Sequence, residues 1–359
     1  MEVVQVQTEP RYEVRIGRGL LAKVATSAPS SSRVAVLTDE NVARLHRAKL
    51  AGLDGAPTLA VAPGEASKSF ATLERVLDFM AAAGLDRRSV LVALGGGVVG
   101  DLGGLAASLY MRGIACVQAP TTLLAQVDAS VGGKTAVNLR AGKNLAGTFH
   151  QPSAVFADTD ALATLPDGEF LSGLGEVVKS ALIEGEAALA RLEQSADALV
   201  ARDADALASI VAACVRTKAA IVAHDPLERG ERKHLNLGHT FAHGIEHAAG
   251  YGRIPHGIAV GVGILLALAA ARDSGKLAEP ELLERVRELM SRLRMPTDLA
   301  TLRKSSSRSL APSEILAGMR HDKKGAAGKP RLVLVTRPGV VVADVEVDAS
   351  VLKRCLASA

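Results

Sequence analysis

Tryptophan is absent, and phenylalanine and tyrosine bring the aromatic share to only 3%. Single-strand nucleic-acid binders stack bases on aromatic platforms. The net charge of +4 comes from interspersed residues, with no basic stripe or binding motif. Nucleic acid is therefore not expected as a partner. Cysteine is scarce: Cys116, Cys214 and Cys355 are scattered, odd in number and outside any CxxC pattern. That excludes a disulfide framework and a cysteine zinc site. Cys116, in a strand-like run, reads as a small buried hydrophobe. MEVVQVQTEP lacks a basic segment followed by an apolar one, so no signal peptide is expected. The longest apolar run, Ile258 to Ala271, falls short of the roughly 20 residues a bilayer span needs. No membrane partner is expected, and a reducing, cytoplasmic location is the default. No internal repeat is seen.

What is present is aliphatic. The 359 residues are 48% hydrophobic, mainly Ala, Val, Leu and Gly, which suits close helix–sheet packing in about two domains. Residues 33–38, 58–62, 89–94, 114–118 and 154–158 are short apolar runs of the kind that form strands buried on both faces. Between the second and third, Phe70, Leu73, Val76, Leu77 and Met80 recur at helical spacing, with Gly84 placed to cap the C-terminus. Strand, helix and strand in series predict a parallel α/β sheet with right-handed crossovers. After Pro166 the pattern turns helical: 169–224, 236–250, 256–274 and 279–293. Pro296 and the run SSSRS at 305–309 mark breaks. Residues 331–346 predict a hairpin across Pro338-Gly339. The expected domains are 1–166, an α/β unit, and 167–359, mainly helical.

Residues 94–104 read LGGGVVGDLGG, directly after a strand-like run. Glycines there permit positive φ and let backbone N–H groups approach a pyrophosphate. A tight turn with close helix packing explains the same pattern. Asp101, read as lying inside the turn, needs a partner beside a phosphate site, such as a ribose hydroxyl or the nicotinamide region. Asp39 and Asn41 follow an early strand, as a ribose-binding acid does; a helix cap is the equal alternative.

His239, His243 and His247 fall at i, i+4 and i+8, on one helix face, and His256 follows. Imidazoles at this spacing present ligands to a zinc-like ion. Chance clustering on a solvated helix is the alternative. Gly238 and Gly257, beside His239 and His256, point to close approach. A carboxylate is needed to complete such a site. Glu176 is a candidate because it shares a helix turn with Lys179, but spacing alone does not select it.

The segments APTTLLAQVDASVGGKTAVN (119–138), GKNLAGTFHQP (142–152), GEVVKS (175–180), LNLGHTFAHGIEH (235–247), PHGIAVG (255–261) and HDKKG (321–325) resemble, in order and spacing, the signatures of the 3-dehydroquinate synthase family. The resemblance runs from about Asp39 to Lys329. It implies a Rossmann-like N-terminal domain, a helical C-terminal domain, an active site in the cleft and a homodimer. It implies Glu176, His239 and His256 as ligands of Zn2+ or Co2+. It implies NAD contacts at Asp39, Asn41, Glu65, Lys68, Gly96, Gly97, Val98, Val99, Gly100, Asp101, Thr121, Thr122, Leu124, Lys134, Lys143, Ala161, Leu162, Ala163 and Thr164. Substrate and catalytic contacts are implied at Arg112, Asp128, Lys134, Asn144, Lys179, Lys218, Arg232, Asn236, His243 and Lys323. His243, which spacing offers as a ligand, thereby becomes a substrate contact, and His247 a surface or supporting residue. Ser180 and the segment 224–233 depart from the family's commoner forms and leave local substrate geometry open.

The activity so implied is a phosphorus–oxygen lyase of the shikimate route to aromatic amino acids. It would convert 3-deoxy-D-arabino-heptulosonate 7-phosphate to 3-dehydroquinate and phosphate. Oxidation of the C5 alcohol by NAD, β-elimination of phosphate, return of the hydride and an intramolecular aldol closure leave NAD unconsumed. Other cyclases, acting on sedoheptulose 7-phosphate or glucose 6-phosphate, are the nearest alternative; they tend to differ at the positions of Asn144 and His243. A metal-dependent glycerol or alcohol dehydrogenase and a non-catalytic nucleotide-binding protein are the others.

Overall fold

A computed structural model describes residues 1–306, 310–321 and 330–357. The chain forms two compact units, Met1–Pro166 with Leu207–Leu227, and Asp167–Ala206 with Glu228–Ala359.

The first unit runs β1 (Glu2–Val6), β2 (Tyr12–Gly17), β3 (Val34–Asp39), α1 (Glu40–His46), β4 (Thr58–Val61), α2 (Phe70–Ala82), β5 (Val90–Gly95), α3 (Gly97–Leu109), β6 (Ala115–Pro120), β7 (Lys134–Leu139), β8 (Gly142–Phe149) and β9 (Ala154–Asp158). Seven strands make one sheet in the order β1-β2-β9-β6-β5-β3-β4. Every neighbour pair is parallel except β1 with β2. The five predicted strands are β3, β4, β5, β6 and β9.

All six residues of β5 are buried. Leu91 and Ala93 join the core beneath α2 and α3, while Val90, Val92 and Leu94 join a second core containing Leu20, Val24 and Phe156. Burial on both faces is why this strand reads as an unbroken apolar run rather than an alternating one. The α2 register holds for Leu73, Val76 and Met80, all buried, while Phe70 is exposed. Gly84 follows with φ +67°, and the N–H of Leu85 reaches back to Met80 O at 3.1 Å, a glycine-closed C-terminus.

The second unit begins with α4 (Asp167–Glu184) and α5 (Glu186–Val200). Helix α6 (Ala204–His224) follows, its greater part belonging to the first unit. Then come α7 (His239–Ala249), α8 (His256–Asp273), α9 (Leu282–Arg292), α10 (Leu299–Ser306), α11 (Pro312–His321), the hairpin β10 (Arg331–Arg337) and β11 (Val340–Glu346), and α12 (Ala349–Ala357). The predicted break at SSSRS begins later than expected, because α10 includes Ser305 and Ser306; residues 307–309 lie outside the described part. The apolar run 258–271 belongs to the longer helix α8, 18 residues. By length and composition α6 and α8 each pass for a membrane span, but 78% of the apolar window of α8 is buried inside the protein. It is the core helix of its unit.

Candidate metal centre and nucleotide edge

Helices α4 and α8 cross backbone to backbone. A Cβ on Gly175 would lie 1.9 Å from Gly257 O, and one on Gly257 would lie 1.8 Å from Ser172 O. The Gly257 N–H donates to Ser172 Oγ at 3.0 Å. No residue but glycine fits either position. The crossing sets the next residue on α4, Glu176, beside the preceding residue on α8, His256. His239 enters from the first position of α7, after Gly238 in the left-handed region at φ +79°. The close approach expected from Gly238 and Gly257 is thus a backbone contact.

One ligand atom from each of Glu176, His239 and His256 lies within 4.8 Å of the others. Glu176 Oε1 faces His239 Nε2 at 3.8 Å and His256 Nε2 at 3.7 Å. The other ring nitrogens are engaged. His239 Nδ1 meets the carbonyl of Leu237 at 3.2 Å, and His256 Nδ1 meets Glu246 Oε2 at 3.2 Å. A carbonyl oxygen only accepts, so His239 carries its proton on Nδ1 and leaves the Nε2 lone pair bare. Burial, then the Lys179 cation and the neighbouring imidazoles, hold the His239 pKa well below its ordinary value, so it stays neutral as a ligand must. Glu176 is buried and forms an ion pair with Lys179 one turn on. Neither of its carboxylate oxygens accepts a hydrogen bond among the described residues. Lys179 offsets Oε2, and Oε1 is left facing the two imidazoles, where a divalent cation would offset it. A carboxylate and two imidazoles whose Nε2 atoms face it are the donor set of a catalytic zinc-type site, and the His256 side chain, 34% exposed, leaves one side open. These residues fit a divalent metal.

His243 sits one turn after His239, with ring centroids 5.8 Å apart and 6.1 Å from His256. It borders both of those imidazoles. His247 is exposed, its ring edge-on to Tyr251. Glu246 escaped the reading of the sequence. Its only signal is an acid among the buried apolar positions of α7, where it is 2% exposed.

In the first unit the glycine-rich segment joins β5 to α3, and of the readings the sequence allows, positive φ does not hold and close packing does. Gly96 has φ −75°, and none of Gly95, Gly96 and Gly97 lies in the left-handed region. The glycines serve close approach. A Cβ on Gly95 would meet the Val99 side chain at 2.7 Å, one on Gly96 would meet Thr122 Cγ2 at 3.0 Å, and one on Gly104 would meet Thr135 Cγ2 at 2.5 Å. Asp101, expected inside the turn, is on α3 itself, and its partner is the Lys68 ammonium. Burial raises the Asp101 pKa, and Lys68 opposes the rise.

From β3 the sheet grows outward to β4 and then reverses, adding β5, β6 and β9 on the other side. In such sheets ligands bind beyond the strand C-termini at the point of reversal. The ends of β3 and β5 are Asp39 and Gly95, so this rule selects the segment from Gly96 and the acid at 39. Asp39 caps α1, its Oδ1 accepting the N–H groups of Asn41 and Val42 at 3.0 Å each. Thr121 and Thr122 follow β6, and Ala161 to Thr164 follow β9. Thr164 Oγ1 lies 2.9 Å from His46 Nε2.

Asn144, at φ +54°, meets Lys68 through its side-chain oxygen. Lys218 Nζ donates to Asp128 Oδ1 at 2.6 Å and to the Asp128 carbonyl at 2.7 Å. Arg232 is 1% exposed, and Asn236 donates to Glu228 at 2.6 Å. Arg112 and Lys134 are exposed. Lys323 lies outside the described residues.

Two family models match the chain, 3-dehydroquinate synthase N-terminal over residues 58–172 and 3-dehydroquinate synthase C-terminal over 173–325. A 3-dehydroquinate synthase of Acidithiobacillus ferrooxidans is 44% identical over 352 residues, 96% of this chain and 94% of its own length. Among solved structures, 2-deoxy-scyllo-inosose synthase complexed with carbaglucose-6-phosphate, NAD+ and Co2+ superposes with TM-score 0.86 at 26% identity, over 99% of both chains. A 2-epi-5-epi-valiolone synthase from Streptomyces hygroscopicus subsp. jinggangensis, with NAD+ and Zn2+ bound, gives TM-score 0.85 at 30% identity, over 97% of this chain and 96% of its own. With both family models matched across most of its length, the chain belongs to the 3-dehydroquinate synthase family.

Proposed function

We propose that the chain converts 3-deoxy-D-arabino-heptulosonate 7-phosphate to 3-dehydroquinate and phosphate, using NAD catalytically and Zn2+ or Co2+. The observation that carries this reading is the buried Glu176 carboxylate facing the Nε2 atoms of His239 and His256, in a chain 44% identical to a 3-dehydroquinate synthase. When bound, NAD supplies a reversible hydride acceptor, and the cation supplies Lewis acidity toward substrate hydroxyls.

The chain's own residues do the rest. Residues 1–166 hold the nucleotide at the reversal of the sheet, with Asp39 toward the ribose and the segment from Gly96 toward the pyrophosphate. Residues 167–359 carry the metal ligands. Lys134, Lys179, Lys218, Arg112 and Arg232 pair with the carboxylate and phosphate of a doubly anionic substrate, the arginines in two-pronged fashion. Asn144, Asn236 and Asp128 orient hydroxyls, and His243 relays a proton beside the metal ligands. Lys323 completes the anion contacts. The enzyme works as a cytoplasmic homodimer.

The solved neighbours are cyclases with other products, so substrate choice is the point to test. Purified chain supplied with NAD and Zn2+ should release phosphate from the heptulosonate phosphate. Turnover only of sedoheptulose 7-phosphate or glucose 6-phosphate would overturn the assignment.

A further inference from the structure

The strands β7 and β8 form an antiparallel hairpin whose register breaks between Val137 and Leu139. Asn138 sits at the break, and its polar groups turn to other partners. Its backbone N–H donates to Lys68 O at 2.8 Å. Its side-chain Oδ1 accepts the backbone N–H of Asn144 at 2.9 Å. Its Nδ2 donates to Glu65 Oε1 at 2.7 Å. The partners fix the amide orientation: a backbone N–H requires an acceptor and a carboxylate requires a donor. Among uncharged side chains of this length, a primary amide supplies both from one rigid plane.

What Asn138 grips is an unusual stretch of backbone. Asn144 lies in the left-handed region at φ +54°, which residues other than glycine seldom adopt, asparagine more readily than most. Two contacts hold Asn144 in place, Asn138 on the backbone and Lys68 on the side-chain oxygen. The same Lys68 pairs with Asp101. Asn138 thus ties together Glu65, Lys68 and Asn144.

We propose that Asn138 is a positioning residue, which holds the Asn144 amide in its substrate-binding conformation and registers it against the Glu65–Lys68 segment. The proposal rests on Asn144 being a substrate contact. Losing one hydrogen bond of this kind predicts a fall of about tenfold in kcat/KM.

The test is a double-mutant cycle on the full-length, NAD- and Zn2+-loaded enzyme. Asn138→Ala and Asn144→Ala should each lower kcat/KM, and the double variant should be no worse than Asn144→Ala alone, because Asn138 acts through Asn144. A general loss of fold would multiply the two effects instead. Multiplicative losses, or an Asn138→Ala enzyme with unchanged kcat/KM, would overturn the proposal. An Asn144→Ala enzyme with unchanged kcat/KM would remove the substrate role of Asn144 itself, and this inference with it. If Asn138→Ala does not fold, Asn138→Leu takes its place in the cycle. It is close in shape and loses both the acceptor for the Asn144 N–H and the donor to Glu65.

Discussion

The Glu246 carboxylate stands 3.2 Å from His256 Nδ1, with its side chain 2% exposed. A carboxylate accepting from the far nitrogen of a ligating imidazole fixes the ring and raises its basicity. Glu246→Gln should therefore weaken Co2+ binding about 10- to 100-fold, measured by titration against a competing chelator. An unchanged dissociation constant would remove this role.

The crossing of α4 and α8 admits no side chain. Gly175→Ala places a methyl 1.9 Å from Gly257 O, so the helices must part, at a cost of about 3 kcal/mol. Because Glu176 and His256 flank the contact, metal affinity should fall with stability. Chemical denaturation and metal titration of the same variant check both; a variant stable and still tight for metal would contradict the packing argument.

Lys68 and Asp101 pair with side chains 5% and 19% exposed. Lys68→Ala leaves a mostly buried carboxylate without its cation, at a cost on the order of 3 kcal/mol. A urea midpoint equal to that of the parent would contradict it.

The strands of the sheet were legible because strands buried on both faces carry unbroken apolar runs such as 89–94. The hairpin β7–β8 was not, because Lys134, Asn138, Lys143 and Asn144 interrupt any alternation, and its partners are set by tertiary contacts. The three glycines are needed for close approach and not for positive φ: composition signals a missing Cβ but not whether sterics or backbone angle requires it. The histidine spacing on α7 was legible, as was the helix turn that joins Glu176 to Lys179. The place of Glu176 beside His239 and His256 depends on the Gly175–Gly257 crossing, which spacing cannot reveal. Glu246 was invisible for the same reason, since its partner His256 begins another helix.

His46 is buried, and desolvation followed by the Lys49 charge lowers its pKa from the ordinary value. A folded-state pKa below the unfolded one gives stability that is full above about 6.5 and is lost as pH falls toward the folded value. Urea midpoints should thus drop between pH 7.5 and pH 5.5, and drop less in His46→Gln. Equal drops in both proteins would assign the acid sensitivity elsewhere.

The most direct measurement follows phosphate and NADH together as the NAD- and Zn2+-loaded enzyme turns over the heptulosonate phosphate, with His256→Ala alongside. The expected result is many phosphates released per enzyme with no accumulating NADH, and a folded His256→Ala protein that has lost metal and turnover together. NADH formed one for one with product, or full turnover by a metal-free His256→Ala enzyme, would contradict it.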